Sequence, residues 1–255
     1  MRTSSIIEKV KARRVFDSRG SEAIEIDIVT SSGMGRSSAP SGASKGTWEV
    51  KSYPGNEVSQ AVNVVEKVLA PKLVGTKVDD FKLTDMKIHE LDKTSDLSEV
   101  GGNTAYAISL ASAMAGANSR RMPLFQHLSK VTSYELPHPL GNVIGGGLHA
   151  KGDRTDIQEF LILPTSSRTF AEAAAANIRA HREVARVVED QGIKVSGRGD
   201  EGAWVVALRT EQAMETLSEA CSMVSDATGV KLRIGVDMAA SSVYSEKEKT
   251  YTYQR

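Results

Sequence analysis

Ile234-Gly235-Val236-Asp237 ends an apolar, β-branched run that begins at Leu232 and finishes in a carboxylate. An apolar strand that carries an Asp at its C-terminal tip is how a (β/α) barrel places a metal ligand or an acid in its mouth. The alternative is an Asp that caps the next helix, because Ala239 and Ala240 follow. A divalent cation takes several oxygen ligands, and one Asp cannot supply them. The stretch therefore predicts part of a metal site at the end of a barrel strand.

Upstream of this strand, from Leu136-Pro137 onward, strand candidates alternate with helix candidates. This alternation suggests parallel strands joined by helical crossovers. Thr169 and Glu172 have the spacing of a capping box for the first helix, and the second helix runs from Thr210. The strand candidates are residues 140–144, 157–163 and 232–237.

The first half of the chain has a different pattern. Residues 23–28 alternate apolar and polar side chains, which is typical of a half-buried strand, and residues 36–39 should pair back as a third strand ended by Pro40. Helices follow: one from Val58 that Pro71 stops, and one of small residues that Asn103 can cap. We predict an α+β domain over residues 1–133 and part of a (β/α) barrel over residues 134–255.

The amino-acid composition argues against several classes of function. Lys and Arg total 32 and balance 32 Asp and Glu, so no net charge indicates nucleic acid or an acidic membrane as a partner. Aromatic residues make up 5%, which argues against base-stacking surfaces. The single cysteine, Cys221, excludes an internal disulfide framework and lies on an apolar helix face, as a buried structural thiol would. With no apolar run of membrane-spanning length and no signal peptide, we expect a cytoplasmic chain.

Two acidic candidates stand out besides Asp237. Glu159 lies in an otherwise apolar strand, where a carboxylate is costly to bury unless it is paired or protonated. Glu201 lies in Gly199-Asp200-Glu201-Gly202, where the glycines permit unusual dihedral angles and close backbone approach. Carboxylates from different loops can be tuned so that one stays protonated as a general acid. The alternatives are a strand-end Glu that faces water and an acidic surface turn.

Two small-residue loops are further candidates. Residues 41–46 follow a strand and could offer amides and hydroxyls to an anion or a metal, or form a flexible surface turn. His149 follows three glycines and could orient a substrate or transfer a proton near neutral pH, or simply face solvent. His127 and His181 lie on helical faces, where packing roles are expected.

Together and in this order, seven short motifs resemble enolase over essentially the whole chain. They are Asp17-Ser18-Arg19-Gly20, Ser41-Gly42-Ala43-Ser44, Gly102-Asn103-Thr104-Ala105, Gly146-Gly147-Leu148-His149-Ala150, Gln158-Glu159-Phe160, Gly199-Asp200-Glu201-Gly202 and Ile234-Gly235-Val236-Asp237. The resemblance implies an N-terminal α+β cap domain and a modified barrel that opens strand–strand–helix–helix. It also implies dehydration of 2-phosphoglycerate to phosphoenolpyruvate with two Mg²⁺ ions, and self-association into homodimers or larger rings.

The resemblance assigns roles by motif. Glu201 would be the acid that helps to expel the hydroxyl, with Glu159 assisting. Gln158 and His149 would contact the substrate. Asp237 would ligate the first Mg²⁺, and Ser44, on a mobile loop, would contact substrate and ligate the second. Metal ions suit this chemistry because they stabilise the ene-diolate charge that develops when a proton next to a carboxylate is removed.

The chain departs from the enolase pattern at several positions. Lys45 replaces a small hydroxyl residue, and Ala203-Trp204-Val205-Val206 replaces a glycine and a proline-containing run. The spacing from His149 to Gln158 is one residue longer than in the enolase pattern, and Ser242 stands where enolases usually carry Glu.

The resemblance also implies that the lysine base, the other metal carboxylates and a phosphate-binding Arg-Ser segment come later than the third barrel strand. Residues 134–255 are about half of the roughly 250 residues of a closed barrel. We therefore expect the chain alone to be inactive and to act with a separate C-terminal barrel half, as a fragment or as one part of a split enzyme. The alternatives are a non-catalytic, enolase-derived interaction protein and another magnesium-dependent member of the wider superfamily.

Overall fold

The structure is a computed structural model that describes residues 5–42, 45–129, 131–199 and 201–253, with the side chain of His149 outside this set. The described residues divide into two compact units. The first comprises residues 5–42 and 48–134, and the second comprises residues 45–47 and 135–253. Within the described residues, no helix is both long enough and apolar enough to cross a membrane.

The first unit is the predicted three-stranded meander followed by helices. Its elements are β1 (Ile7–Phe16), β2 (Glu22–Thr30), β3 (Met34–Ala39), α1 (Val58–Val64), α2 (Ala70–Leu73), α3 (Phe81–Leu91), α4 (Gly102–Ser119) and α5 (Leu124–Leu128). The strands pair antiparallel in the order β1-β2-β3, and the buried isoleucines 24, 26 and 28 of β2 pack into the helical layer.

Two predicted helix boundaries in this unit were wrong. Pro71 does not stop its helix: a π turn over Val65–Leu69 widens the helix just before the proline, and α2 continues to Leu73. The N-cap of α4 is Gly101 rather than Asn103. Gly101 has φ +88° and a Cβ there would lie 2.6 Å from the carbonyl oxygen of Ser52, so glycine fits this position. The Asn103 side chain instead donates to the Tyr53 hydroxyl at 3.2 Å.

Helix α4 packs directly on β3 through small residues. Ala107, Ala111 and Ala115 are fully buried along the helix face that covers the sheet. Gly35 of β3 lies so close to α4 that a Cβ at this position would be 1.9 Å from the carbonyl oxygen of Ala111. The sheet and the helix therefore meet backbone to backbone at this point.

Asp92 is the buried polar centre of the loop after α3. Only 2% of the residue is exposed. Its Oδ1 accepts from the amide and hydroxyl of Thr94 at 3.0 and 2.5 Å, and its Oδ2 accepts from the amides of Glu99 and Val100 at 3.0 and 2.8 Å. Burial alone would raise the pKa of Asp92, but these hydrogen bonds outweigh it, and the pKa lies below the ordinary value of 3.8.

We predict that Asp92→Asn lowers the free energy of unfolding of the first unit by about 1–3 kcal/mol. Whichever way the asparagine amide turns, its NH₂ group faces two donors that an aspartate oxygen had satisfied. Because the folded-state pKa is depressed, the aspartate's stabilisation is present above about pH 3.8 and is lost as the pH falls through the folded-state pKa. Urea denaturation at pH 7 and pH 3 measures both effects.

Asp80→Asn is the matched control for this prediction, because Asp80 is exposed and its side chain does not cap α3. We expect this variant to stay within about 0.5 kcal/mol of the parent. Equal stabilities for Asp92→Asn and the parent at pH 7 would contradict the role given to Asp92.

The second unit is a five-stranded sheet with two long helices packed on its buried side chains. The elements are β4 (Gly141–Gly145), β5 (Glu159–Pro164), α6 (Phe170–Asp190), β6 (Val195–Arg198), β7 (Trp204–Val206), α7 (Thr210–Thr228), β8 (Leu232–Asp237), β9 (Tyr244–Ser245) and β10 (Thr250–Tyr251). The strands of the sheet lie in the order β6-β7-β4-β5-β8. Phe160 and Ile162 of β5 pack with Val184 of α6 and Leu217 of α7.

The prediction of uniformly parallel strands was wrong for β5. It pairs antiparallel with both β4 and β8, while β4 and β7 pair parallel. The 13 residues between the end of β4 at 145 and the start of β5 at 159 contain a short 3₁₀ turn and no α-helix, so the chain turns back without a helical crossover. The β6–β7 hairpin, which no sequence pattern predicted, lies between the two helices.

The predicted helices of this unit are confirmed at their N-termini, with one correction. The Thr169 side chain accepts from the amide of Glu172 at 3.1 Å. The Glu172 carboxylate, however, accepts from the amide of Arg168 rather than Thr169, so the capping box is displaced by one residue. Cys221 is buried on the inner face of α7, and burial raises the pKa of its thiol to about 11, as expected for a structural cysteine.

Candidate active site

Sheet register places Glu159 beside Asp237. Glu159 is the first residue of β5 and lies directly opposite Asp237, the last residue of β8, and opposite Gly145, the last residue of β4. Residues directly opposite each other in a sheet project to the same face. The register therefore brings two acidic side chains to one face at one end of the sheet.

The surroundings of the two carboxylates differ. Asp237 is exposed, and its Oδ1 accepts from the amide of Ala239 at 2.9 Å, so it also holds the turn that follows β8. Ala239 takes the left-handed conformation, with φ +43°, and starts a short 3₁₀ turn over Ala240–Ser242. Glu159 is half-buried between the two neighbouring strands.

Glu201 approaches the sheet through the β6–β7 hairpin. The amide of Gly199 donates to the carbonyl of Ala203 at 2.9 Å, the amide of Gly202 donates to the carbonyl of Gly199 at 3.0 Å, and Gly202 has φ +82°. Asn142 of β4 donates from Nδ2 to Oε2 of Glu201 at 3.0 Å. Glu201 thus contacts β4 three residues before Gly145. Asp200 lies outside the described residues.

Gln158 presents a buried acceptor next to Glu159. Only 4% of the residue is exposed, and among the described residues its Oε1 has no hydrogen-bond partner. An unsatisfied buried acceptor costs about 1–3 kcal/mol. The backbone carbonyl of Gln158 accepts from the amide of Gly146 at 2.9 Å, which holds the backbone of this residue at the base of the glycine-rich loop. This acceptor is suited to a donor group on a bound molecule.

The glycine-rich loop folds over a cavity of about 300 Å³, lined by Leu148, residues 152–156 and Ser242 among others. The guanidinium of Arg154 donates to the carbonyl of Gly147 at 2.6 Å and to that of Gly152 at 3.0 Å, so the loop is closed by one side chain. A second cavity of about 320 Å³ shares Leu148 and Ser242 and is lined by Lys45 and Thr47. Lys45, one departure from the enolase pattern, therefore lies near the turn after Asp237.

Two predicted site residues lie outside what the structure describes. Ser44 is not among the described residues, and the side chain of His149 is not described. His149 belongs, through its backbone, to a short 3₁₀ turn over Gly147–His149.

The described residues do not by themselves make a complete magnesium site. Among residues 5–42, 45–129, 131–199 and 201–253, no three His, Cys, Asp or Glu side chains are grouped so as to hold a metal ion. Asp237 is therefore a single candidate ligand, and a hard cation needs several oxygen ligands.

Sequence reasoning missed two contributors to the site. Asn142 was assigned only to a strand, although a polar residue within the otherwise apolar segment 140–144 was a usable signal. His181 was assigned to packing, yet its Nε2 lies 3.0 Å from the carbonyl oxygen of Gly202, directly after Glu201. Nothing in the sequence relates residues 181 and 202, because the contact depends on where the hairpin folds back.

A three-stranded cap and a strand–strand opening with carboxylates at strand ends define a cap-and-barrel protein. The family models described as the enolase N-terminal domain and the enolase C-terminal TIM barrel domain match residues 7–128 and 133–255. The chain belongs to the enolase family. Its second unit is thus a partial TIM barrel domain.

The enolases that the chain resembles are longer than it is. It is 41% identical to the enolase of Methanosphaera stadtmanae over 252 residues, which cover 98% of this chain and 61% of that protein. It is 42% identical to the enolase of Archaeoglobus fulgidus over 250 residues, covering 97% and 60% respectively. The enolase of Methanocorpusculum labreanum is 43% identical over 249 residues, covering 97% and 61%. The chain therefore spans about 61% of the length of these relatives.

Proposed function

We propose that this chain supplies the acid side of an enolase active site, which dehydrates 2-phosphoglycerate to phosphoenolpyruvate in cytoplasmic glycolysis and gluconeogenesis. The observation that supports this most is the pairing of Glu159 with Asp237 at the sheet end, in a chain that matches both enolase domains. The hydrogen bond from Asn142 to Glu201 supports a third carboxylate in the same unit.

In the proposed reaction, a base removes the proton from C2 and the hydroxyl leaves C3 as water, so that a C2–C3 double bond forms. Glu201, as the general acid, donates the proton that the leaving hydroxyl needs, and Glu159 assists it. Gln158 and His149 contact the substrate, and the buried Oε1 of Gln158 accepts from a hydroxyl group of the substrate. The base is a lysine supplied by the complementary part of the barrel.

We propose magnesium as the metal because the chain belongs to the enolase family. We propose Asp237 and Ser44 as ligands, with the remaining ligands supplied by a complementary barrel segment. The described residues alone do not complete the site, so each step above is assigned to protein groups only. The matched relatives extend beyond the region they share with this chain, which supports a complementary barrel segment, in the same polypeptide or in a separate one. Self-association as a homodimer or larger ring is also proposed from membership of the enolase family.

We predict that the 255-residue chain alone gives no magnesium-dependent dehydration of 2-phosphoglycerate, because the proposed base lies on the complementary segment and the described residues group no three metal-ligating side chains. Mixing it with the separately produced C-terminal barrel segment of the Methanosphaera stadtmanae enolase, the portion beyond the 252-residue match, should restore phosphoenolpyruvate formation. Native mass spectrometry of the mixture and an assay of phosphoenolpyruvate measure association and turnover on one sample.

The controls are the barrel segment alone and the mixture without Mg²⁺, both expected to be inactive. Turnover by the lone chain would refute the need for a complementary segment. A stable complex without turnover, or a monomeric chain that binds no segment, would instead favour the alternative of a non-catalytic interaction protein. The departures from the enolase pattern at Lys45 and Ala203-Trp204-Val205-Val206 support that alternative.

A further inference from the structure

His181 of α6 lies beneath the loop that carries Glu201. Its Nε2 is 3.0 Å from the carbonyl oxygen of Gly202. A carbonyl oxygen can only accept, so Nε2 carries a proton and donates it. Burial of the ring lowers the pKa of His181, and the positive charges of Arg198 and Arg182 add to this effect, although the bond to Gly202 opposes it. The ring is thus neutral at pH 7, with its proton on Nε2.

Trp204 locks the histidine in this orientation. The indole Nε1 donates to the backbone carbonyl of His181 at 2.6 Å, and the two rings stack with centroids 4.7 Å apart and an interplanar angle of 28°. The guanidinium carbon of Arg198 lies 4.6 Å from the centroid of the Trp204 ring, a cation–π distance. Trp204 itself pairs with Ile144 of β4. The histidine is therefore connected to the sheet through the tryptophan.

Two side chains from outside the turn contact the loop that carries Glu201. Glu201 is exposed, and a Cβ at Gly202 would meet no described atom within 4 Å. A catalytic carboxylate has to be held within about 0.5 Å of its productive position. Asn142 holds the carboxylate, and His181 holds the backbone at the next residue.

We propose that His181 is a positioning residue for Glu201, and that its bond to the Gly202 carbonyl, braced by Trp204, sets the geometry of the loop that carries the acid. Trp204 lies in the segment 203–206, where the chain departs from the enolase pattern, so this support belongs to this chain's own sequence. The catalytic consequence rests on the proposed function, whereas the effect on the loop does not.

Three substitutions separate positioning from packing. His181→Phe keeps an aromatic ring for stacking and removes the donor. His181→Gln keeps an N–H donor and removes the ring. Trp204→Phe keeps the aromatic ring and removes the donor to the His181 carbonyl. Arg182→Gln, at the neighbouring exposed position of α6, is the matched control.

The first measurement is hydrogen exchange of the Gly199 and Gly202 amides in the 255-residue chain, because these two amides close the turn. We expect exchange at least about 5-fold faster in His181→Phe and a smaller increase in Trp204→Phe. His181→Gln and Arg182→Gln should exchange like the parent. A packing role predicts the reverse order, with His181→Gln the faster of the two histidine variants.

The second measurement is kcat and KM for 2-phosphoglycerate in the mixture with the C-terminal barrel segment. We expect kcat to fall about 10- to 100-fold in His181→Phe with KM unchanged, and His181→Gln to restore most of it. Unchanged kcat in a folded His181→Phe would overturn the proposal, as would unchanged exchange. If the parent mixture shows no turnover, the proposed function fails, but the exchange experiment still decides whether His181 sets the loop.

Discussion

Gly35→Ala is expected to remove at least about 3 kcal/mol from the free energy of unfolding of the first unit. The new Cβ would lie 1.9 Å from the carbonyl oxygen of Ala111 and 2.5 Å from the amide nitrogen of Ala115. Both atoms are helix backbone, so no side-chain rotation relieves the contact. Helix α4 must move off β3, and that motion breaks the packing of buried Ala107, Ala111 and Ala115 against the sheet.

The measurement is urea denaturation followed by circular dichroism, with hydrogen exchange of the β3 and α4 peptides to assign the loss to the first unit. Gly235→Ala is the matched control, because Gly235 is also a strand glycine without a positive φ, and among the described residues its Cβ would meet only Leu161, at 3.8 Å. We expect the control to lose little stability. Similar unfolding midpoints and exchange for both variants would show that α4 does not approach β3 as closely as described.

Glu201→Gln is expected to lower kcat by about 10²- to 10⁴-fold in the mixture with the C-terminal barrel segment. Glutamine keeps the size of the side chain and an oxygen that can accept from Asn142, so the loop should keep its geometry. What it loses is the proton that a neutral carboxylic acid gives to the leaving hydroxyl. Initial rates of phosphoenolpyruvate formation at saturating substrate measure the effect.

Glu189→Gln provides the control, because Glu189 lies on the exposed side near the end of α6. This variant should keep the parental kcat. A Glu201→Gln variant with more than a tenth of the parental kcat would remove Glu201 from the role of general acid.

The sequence predicted the positions of strands better than their directions. The alternation over residues 23–28 and the apolar run ending at Asp237 each correspond to an observed strand. Strand direction could not be predicted, because an apolar run has the same pattern whether its neighbouring strands run parallel or antiparallel to it. The reversal of β5 depends on the loop between Gly145 and Glu159, which Arg154 closes by a hydrogen bond to the carbonyl of Gly147, seven positions earlier, and no turn motif in the sequence indicated this bond.

Local residue types were also overruled by packing at specific points. Asn103 is a good capping residue, but the close approach of the backbone at Ser52 favours glycine at 101 and moves the helix start ahead of Asn103. The β6–β7 hairpin escaped prediction because its strands are only 4 and 3 residues long and Gly197 interrupts the first. Its Trp204 contacts His181 and β4, both of which are distant from the hairpin in sequence.

The sequence predicted some residues of the candidate site but not how they are arranged. Strand-end position indicated Asp237, and a charge within an apolar strand indicated Glu159; the register that sets them side by side was not predictable from either alone. The residues that contact Glu201 and its loop were not predictable either. Asn142 is 59 positions from Glu201, and His181 is 21 positions from Gly202.

The most direct test of the acid role is isotope exchange by the reconstituted Glu201→Gln variant in D₂O. If Glu201 serves the leaving hydroxyl and a lysine of the complementary segment removes the C2 proton, the two steps are separable. We predict that the variant still exchanges the C2 proton of 2-phosphoglycerate for deuterium, observed by NMR, while phosphoenolpyruvate formation falls by about 10²-fold or more. Equal loss of exchange and of phosphoenolpyruvate formation, with the parent active in both, would contradict the role proposed for Glu201.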